Sequence, residues 1–146
     1  MGAKVFKQRR RDRGFTLIEL LVVLVILGLL AGLVGPAVMK NIGTANKGTA
    51  EQQILNFSSA LDSYRLEVGR YPNSSEGLEA LISQPSGADR WNGPYLRKSK
   101  VPLDPWGNEY QYRAPGDNGR PVDIVSLGSD NADGGDGEAQ DVASWD

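Results

Sequence analysis

Three regimes of hydrophobic and polar residues follow one another along the chain. From Leu20 to Val38 the sequence LLVVLVILGLLAGLVGPAV contains no charged or amide side chain. At 19 residues, this run is long enough to cross a membrane as a helix. Extended back to Phe15 it holds 24 residues, about 36 Å of helix at roughly 1.5 Å per residue. A plain signal anchor is the simplest account. A cleaved secretory signal fits less well, because the run is long and no Ala-x-Ala site closes it. Gly28 and Gly32 have the small-xxx-small spacing that lets helices approach closely. Pro36 lacks a backbone donor and crowds the preceding turn, which predicts a kink or loosening between Gly32 and Pro36.

The second regime, NIGTANKGTAEQQILNFSSALDSYRLEVGRYP, runs from Asn41 to Pro72. It places Ile42, Ala45, Ala50, Ile54, Phe57, Leu61, Tyr64 and Val68 at spacings of three to five residues. That is one apolar stripe on a polar helix, and the stripe should pack on a folded head as core. Gly69 and Pro72 end it. In the third regime, PNSSEGLEALI predicts a short helix capped by Ser74 or Ser75, and GPYLRKSKVPLDPWGNEY reads as loop. NEYQYRA alternates, with Tyr110 and Tyr112 on one face; PGDNGRP is a turn, and VDIVSLG is a second strand. A hairpin over residues 109 to 127 packed on the long helix gives an α+β class, with no internal repeat.

Charge divides the chain more sharply than its net of −2 shows. Residues 1–14 carry Lys4, Lys7, Arg9, Arg10, Arg11 and Arg13 against Asp12, a net of +5, and residues 15–146 carry −7. A basic head directly before an apolar run is a topology signal rather than a nucleic-acid surface. It puts residues 1–14 in the cytoplasm and everything after Lys40 across the membrane. The chain has no Cys and no His. Disulfides, thiolate metal sites and the commonest general base are therefore excluded. The remaining oxygen ligands suit hard cations.

Two places carry candidate chemistry. Glu19 lies at the start of the apolar run, where a carboxylate is costly; it either pairs with a cation or snorkels to the headgroups. At the other end SLGSDNADGGDGEAQD, Ser126 to Asp141, holds Asp130, Asp133, Asp136, Glu138 and Asp141 among glycines. Such a loop either curls its oxygens around calcium or remains a solvated acidic tail. Its acids do not follow the EF-hand spacing, and composition leaves both readings open.

RGFTLIEL, Arg13 to Leu20, resembles the processing signal of type IV pilins and type II secretion pseudopilins. GPYL, DPWGNEYQY, APGDNGRPVDIVSLGSD, GGDG and the final Asp-Val-x-x-Trp extend the resemblance, from Arg13 to the C-terminus, to the major pseudopilin family. The resemblance implies cleavage between Gly14 and Phe15 by a prepilin peptidase, N-methylation of Phe15, and a fifth mature position at Glu19. There Glu19 sets assembly register by meeting the Phe15 amine of a neighbouring subunit. It implies a pilin-like fold with one calcium in the C-terminal loop. By that analogy the ligands are the Leu127 carbonyl, Ser129, the side chains of Asp130 and Asp136, and an oxygen near Glu138, with Asp133 in reserve.

The implied organisation is a cleaved leader (1–14), a transmembrane and assembly helix (15–39), an amphipathic continuation (40–69) and a periplasmic head (70–146). The implied role is a bacterial inner-membrane precursor, held in lipid before assembly. It polymerises into a periplasmic pseudopilus that drives folded proteins across the outer membrane. The implied partners are further copies, the peptidase, minor pseudopilins, the inner-membrane platform and, indirectly, the outer-membrane secretin. A type IV pilin for adhesion or twitching is the nearest alternative, although many of those close a C-terminal loop with a disulfide this chain cannot form. A minor tip pseudopilin lacks a supporting motif. An enzyme reading lacks His, Cys and any Gly-x-Ser-x-Gly.

Overall fold

The computed structural model describes residues 14–146, so the basic cluster of the leader reading lies outside the described residues. One α-helix, α1, runs from Leu17 to Val68. The chain divides into two compact units, one ending at Met39 and one running from Lys40 to Asp146.

In the first unit every residue from Leu17 to Met39 except Gly35 is exposed. A helix that is apolar all round and buries nothing against its own chain is built for lipid or for other helices, and this one has the length and composition to cross a membrane. The helical assignment continues through Pro36. The loosening expected between Gly32 and Pro36 is therefore not an interruption. The missing donor at Pro36 removes one hydrogen bond without ending the helix.

In the second unit α1 turns amphipathic. Ala50, Ile54, Phe57, Leu61 and Tyr64 are buried at the three- and four-residue steps of a single face. At about 1.5–3 kcal/mol per large apolar side chain, this stripe outweighs any surface contribution in the head. Towards the first unit the stripe departs from its predicted positions. Ile42 and Ala45 are exposed, and the shielded residues are Gly43, Asn46 and Lys47. Gly69 ends the helix at φ 92°, its N–H donating to the Arg65 carbonyl at 2.8 Å. Arg90 also donates to the Val68 carbonyl at 3.3 Å.

A three-stranded antiparallel sheet covers the stripe: β1 (Gln111–Arg113), β2 (Asp123–Ser126) and β3 (Val142–Ala143), in that order. Tyr112 pairs with Ile124, and Ser126 with Val142. The first two strands lie within the predicted hairpin; β3 was not predicted. Ile124 and Val142 join the core, and the Tyr110 ring meets Phe57 edge-on at 5.0 Å. The predicted short helix is a 3-10 segment, Leu78–Leu81, with no side-chain cap. Asn73, not Ser74 or Ser75, organises the turn before it, its Oδ1 accepting from the Ser75 and Glu76 N–H groups. Ser74 instead ties this turn to Ala114 beyond β1, at 2.9 and 3.1 Å.

The loop read from DPWGN contains a buried carboxylate. Asp104 accepts from Trp106 N–H, Asn108 N–H and the Ser126 hydroxyl, at 3.1, 2.8 and 2.6 Å. Asn108 then donates to the Gly128 carbonyl at 2.8 Å. These bonds fix the end of β2, from which the acidic loop departs.

Candidate functional site

The N-terminal candidates sit on a capped helix start. Gly14 and Phe15 are exposed and precede α1, leaving the bond between them open to solvent. Glu19 Oε2 accepts the Thr16 backbone N–H at 2.8 Å, and the Thr16 hydroxyl accepts the Glu19 N–H at 3.3 Å. This reciprocal pattern is a capping box, and it satisfies two of the donors a helix start leaves open. The sequence reading of Glu19 considered only its charge. The missed signal was Thr-x-x-Glu directly before an apolar run. The cap engages one of the two carboxylate oxygens.

At the other end the acidic loop is folded on itself. Gly128 and Gly135 both take positive φ, 65° and 86°. A Cβ at Gly128 would lie 2.8 Å from the Ala139 carbonyl carbon, and one at Gly135 would lie 2.5 Å from the Ala139 oxygen. Both limbs of the loop thus meet at Ala139, an approach that only glycine permits here. Leu127 is buried at the loop's base. Ser129, Asp130, Asp133, Asp136 and Glu138 are exposed. Asp130 accepts the Ala132 N–H at 3.2 Å, and the Asp136 carbonyl accepts the Ala139 N–H at 3.1 Å. The Glu138 side chain lies against Gly43 of α1. Among the described residues, no three acidic side chains are gathered closely enough to hold a metal.

Asp141 was not among the proposed ligands. Its Oδ2 accepts the Gly134 N–H at 2.9 Å, while its Oδ1 is buried with no hydrogen-bond partner. The ion pairs among the described residues are Arg70–Glu76, Arg113–Asp117 and Arg120–Asp123. None of them neutralises the five carboxylates of the loop. The buried, unpartnered Asp141 oxygen suits a hard cation, while the other acidic side chains of the loop are exposed and are not gathered around it.

Beside the loop, Arg120 closes the C-terminus onto the sheet. Its guanidinium contacts the buried Asp123 carboxylate at 2.6 and 3.1 Å and lies 3.9 Å from the centre of the Trp145 ring. Asp123 also accepts the Asp117 N–H at 2.8 Å. The Arg120 guanidinium, and secondarily that backbone donor, hold the Asp123 carboxyl below the usual carboxylate range against the opposing effect of burial.

Capped apolar helix and sheet-covered amphipathic helix together define a pilin-like protein carrying an N-terminal methylation signal. Residues 9–35 match the prokaryotic N-terminal methylation motif, and residues 37–145 match the family described as type II secretion system protein G. The chain is similar to type II secretion system core protein G of Pseudomonas aeruginosa, 48% identical over 143 residues, covering 95% of this chain and 99% of the relative. The corresponding protein of Vibrio cholerae is 42% identical over 142 residues, with 95% of each covered. A crystal structure of the major pseudopilin from the type 2 secretion system of enterohaemorrhagic Escherichia coli aligns with TM-score 0.60 and 34% identity, over 73% of this chain and 92% of that one.

The chain belongs to the type II secretion system protein G family, the major pseudopilins. This is a structural family rather than an enzyme family. Membership implies polymerisation into a pseudopilus and processing by a prepilin peptidase. The apolar N-terminal helix is consistent with the inner membrane.

The depressed pKa of Asp123 has a stability consequence. A carboxyl with a lower pKa folded than unfolded stabilises the fold above the unfolded value, about 3.9. That contribution is lost as pH falls through the folded value. Asp123→Asn should therefore lower the denaturant midpoint at about pH 7, and the gap from the parent should narrow below about pH 3.9. A gap that stays constant down to the acid transition would rule out this ion pair as its source.

Proposed function

We propose that this chain is made as an inner-membrane precursor with residues 1–14 cytoplasmic and the head periplasmic. The peptidase cuts it after Gly14, it is methylated at Phe15, and it enters the pseudopilus by pairing Glu19 with the Phe15 amine of a neighbour. The single observation that supports this reading best is the capped carboxylate at the start of an apolar, solvent-exposed helix. Cleavage creates a cation one residue before Thr16. The cap leaves one Glu19 oxygen for a second donor, so the residue can hold its own helix start and receive a neighbour's amine together. Such a pair specifies axial register more than it adds stability. Further copies are the main partner, with minor pseudopilins, the inner-membrane platform and indirectly the secretin as the remaining contacts. The filament then acts in export of folded proteins across the outer membrane.

The same proposal includes one calcium ion in the loop from Leu127 to Asp141. The supporting observations are the five unneutralised carboxylates and the buried, unpartnered oxygen of Asp141. The Leu127 carbonyl, Ser129, Asp130, Asp136 and an oxygen near Glu138 are the proposed ligands, with Asp133 in reserve. Asp141 is now the additional candidate. The ion would supply charge neutralisation and a fixed loop surface.

Three measurements test these statements. Mass spectrometry of assembled filaments should find chains beginning at N-methylated Phe15; filaments whose chains begin at Met1 would overturn the processing reading. Glu19→Gln keeps a capping side chain but removes the charge. It should insert normally and assemble poorly, and normal filaments at matched membrane levels would leave Glu19 as a helix cap alone. Calcium should raise the melting temperature of the protein. Binding only the folded state contributes about 2.7 kcal/mol at about a hundredfold excess over Kd, and Asp130→Ala should remove most of that gain. Equal midpoints with calcium and with chelator would mark the loop as a solvated acidic segment.

A further inference from the structure

The acidic loop is seated on the first turns of the head's helix. A Cβ at Gly43 would lie 2.7 Å from Glu138 Cγ and 3.0 Å from its Oε1, so the glutamate occupies the space a side chain would fill. One turn further along, Lys47 Nζ donates to Gln140 Oε1 at 3.2 Å. Residues four apart share a helix face. Between positions 41 and 50 only Gly43, Asn46, Lys47 and Ala50 are shielded from solvent, and all four lie on that face.

The helix there is weak by composition. Asn41 to Thr49, NIGTANKGT, contains two Gly, two Thr and two Asn, all poor helix formers, with Gly the worst at about 1 kcal/mol relative to Ala. Thr44 and Thr49 donate their hydroxyls back to the Lys40 and Ala45 carbonyls, at 3.1 and 2.9 Å, a pattern that slightly destabilises helices. The apolar core begins only at Ala50. Glu138 and Gln140 are the two neighbours of Ala139, the residue on which Gly128 and Gly135 both close. If the loop opens at that crossing, both helix contacts go with it. One is a van der Waals contact and the other a single hydrogen bond, each worth little alone, so they hold only while the loop backbone is held.

We propose that the loop is a cation-dependent clamp on residues 41–50 of α1: closing the loop orders the weak turns that join the core stripe to the preceding helix. This rests on the calcium reading above and extends it. The five carboxylates repel when unneutralised, which opens the crossing at Ala139 and frees the helix face. A cation reverses both steps, and helix order follows loop occupancy as two arrangements of one coupled element.

Hydrogen exchange by mass spectrometry on the full chain in detergent micelles, with calcium or with chelator, tests this. In the parent, chelation should speed exchange of amides 41–50 by about tenfold along with those of the loop, 128–141. In the double variant Gly43→Leu, Lys47→Ala, leucine fills the seat of Glu138 and Lys47 loses its donor. Both replacements are good helix formers, so propensity alone predicts a more protected helix. The clamp predicts instead that calcium still slows the loop but no longer changes amides 41–50. A parent whose loop responds to calcium while residues 41–50 do not would overturn the clamp and leave the calcium reading standing. A double variant that keeps the full helix response would also overturn it. If neither segment of the parent responds, the calcium reading fails, and the clamp with it.

Discussion

The folded head depends on one buried stripe. Ala50, Ile54, Phe57, Leu61 and Tyr64 bring a single helix face against Ile124 and Val142 of the sheet and Leu78 and Leu81 of the 3-10 segment. The strands themselves are only two to four residues long, and a sheet of that size has little stability of its own. It exists because its inward residues complete the helix stripe. Nearby polar groups serve the same packing: Asp104 buries its charge to fix the end of β2, and Ser74 ties β1 to the turn after the helix. The acidic loop starts and ends on β2 and β3, so its geometry is set by strands that are in turn set by the stripe.

Much of this was legible because the relevant signals are local. A long apolar run, a three-to-four-residue stripe and an alternating strand are each visible in a short window, and Gly69 ends α1 as its chemistry predicts. What could not be read depended on tertiary partners. Val142 and Ala143 have no alternating pattern of length, and they become a strand only because β2 is already in place beside them. Ile42 and Ala45 looked like core from their apolarity. The face that is shielded instead carries Gly43, Asn46 and Lys47, because a polar loop rather than the sheet lies there, and a glycine leaves room for Glu138. Asn73 and not its serine neighbours organises the turn, since Ser74 is drawn to Ala114 across the fold. The Thr16–Glu19 box is a local signal too, Thr-x-x-Glu directly before an apolar run, and it gives the costly charge an ordinary role as a cap.

Charge is distributed in two ways. In the body of the head, Arg70, Arg113 and Arg120 each meet a carboxylate within the chain. Buried Asp123 is matched further by a backbone donor and by the Trp145 ring beyond its arginine. The loop has five carboxylates with no such partner, and Glu19 has a cap that uses one oxygen of two. Of the arginine pairs only Arg120–Asp123 has a buried carboxylate; the exposed Arg113–Asp117 pair contributes little. In the reading proposed above, the carboxylates left available take a cation in the loop and the amine of another subunit at Glu19.

The same contrast orders the length of α1. Up to Met39 the helix buries nothing against its own chain, and its apolar side chains await lipid or other helices. From Ala50 it is held by its own core. The turns between have neither support, and their glycines, threonines and asparagines would not choose a helix unaided. In the clamp proposed above, the loop rests Glu138 against Gly43 and Gln140 on Lys47, and it would order this interval of the helix once its carboxylates are neutralised.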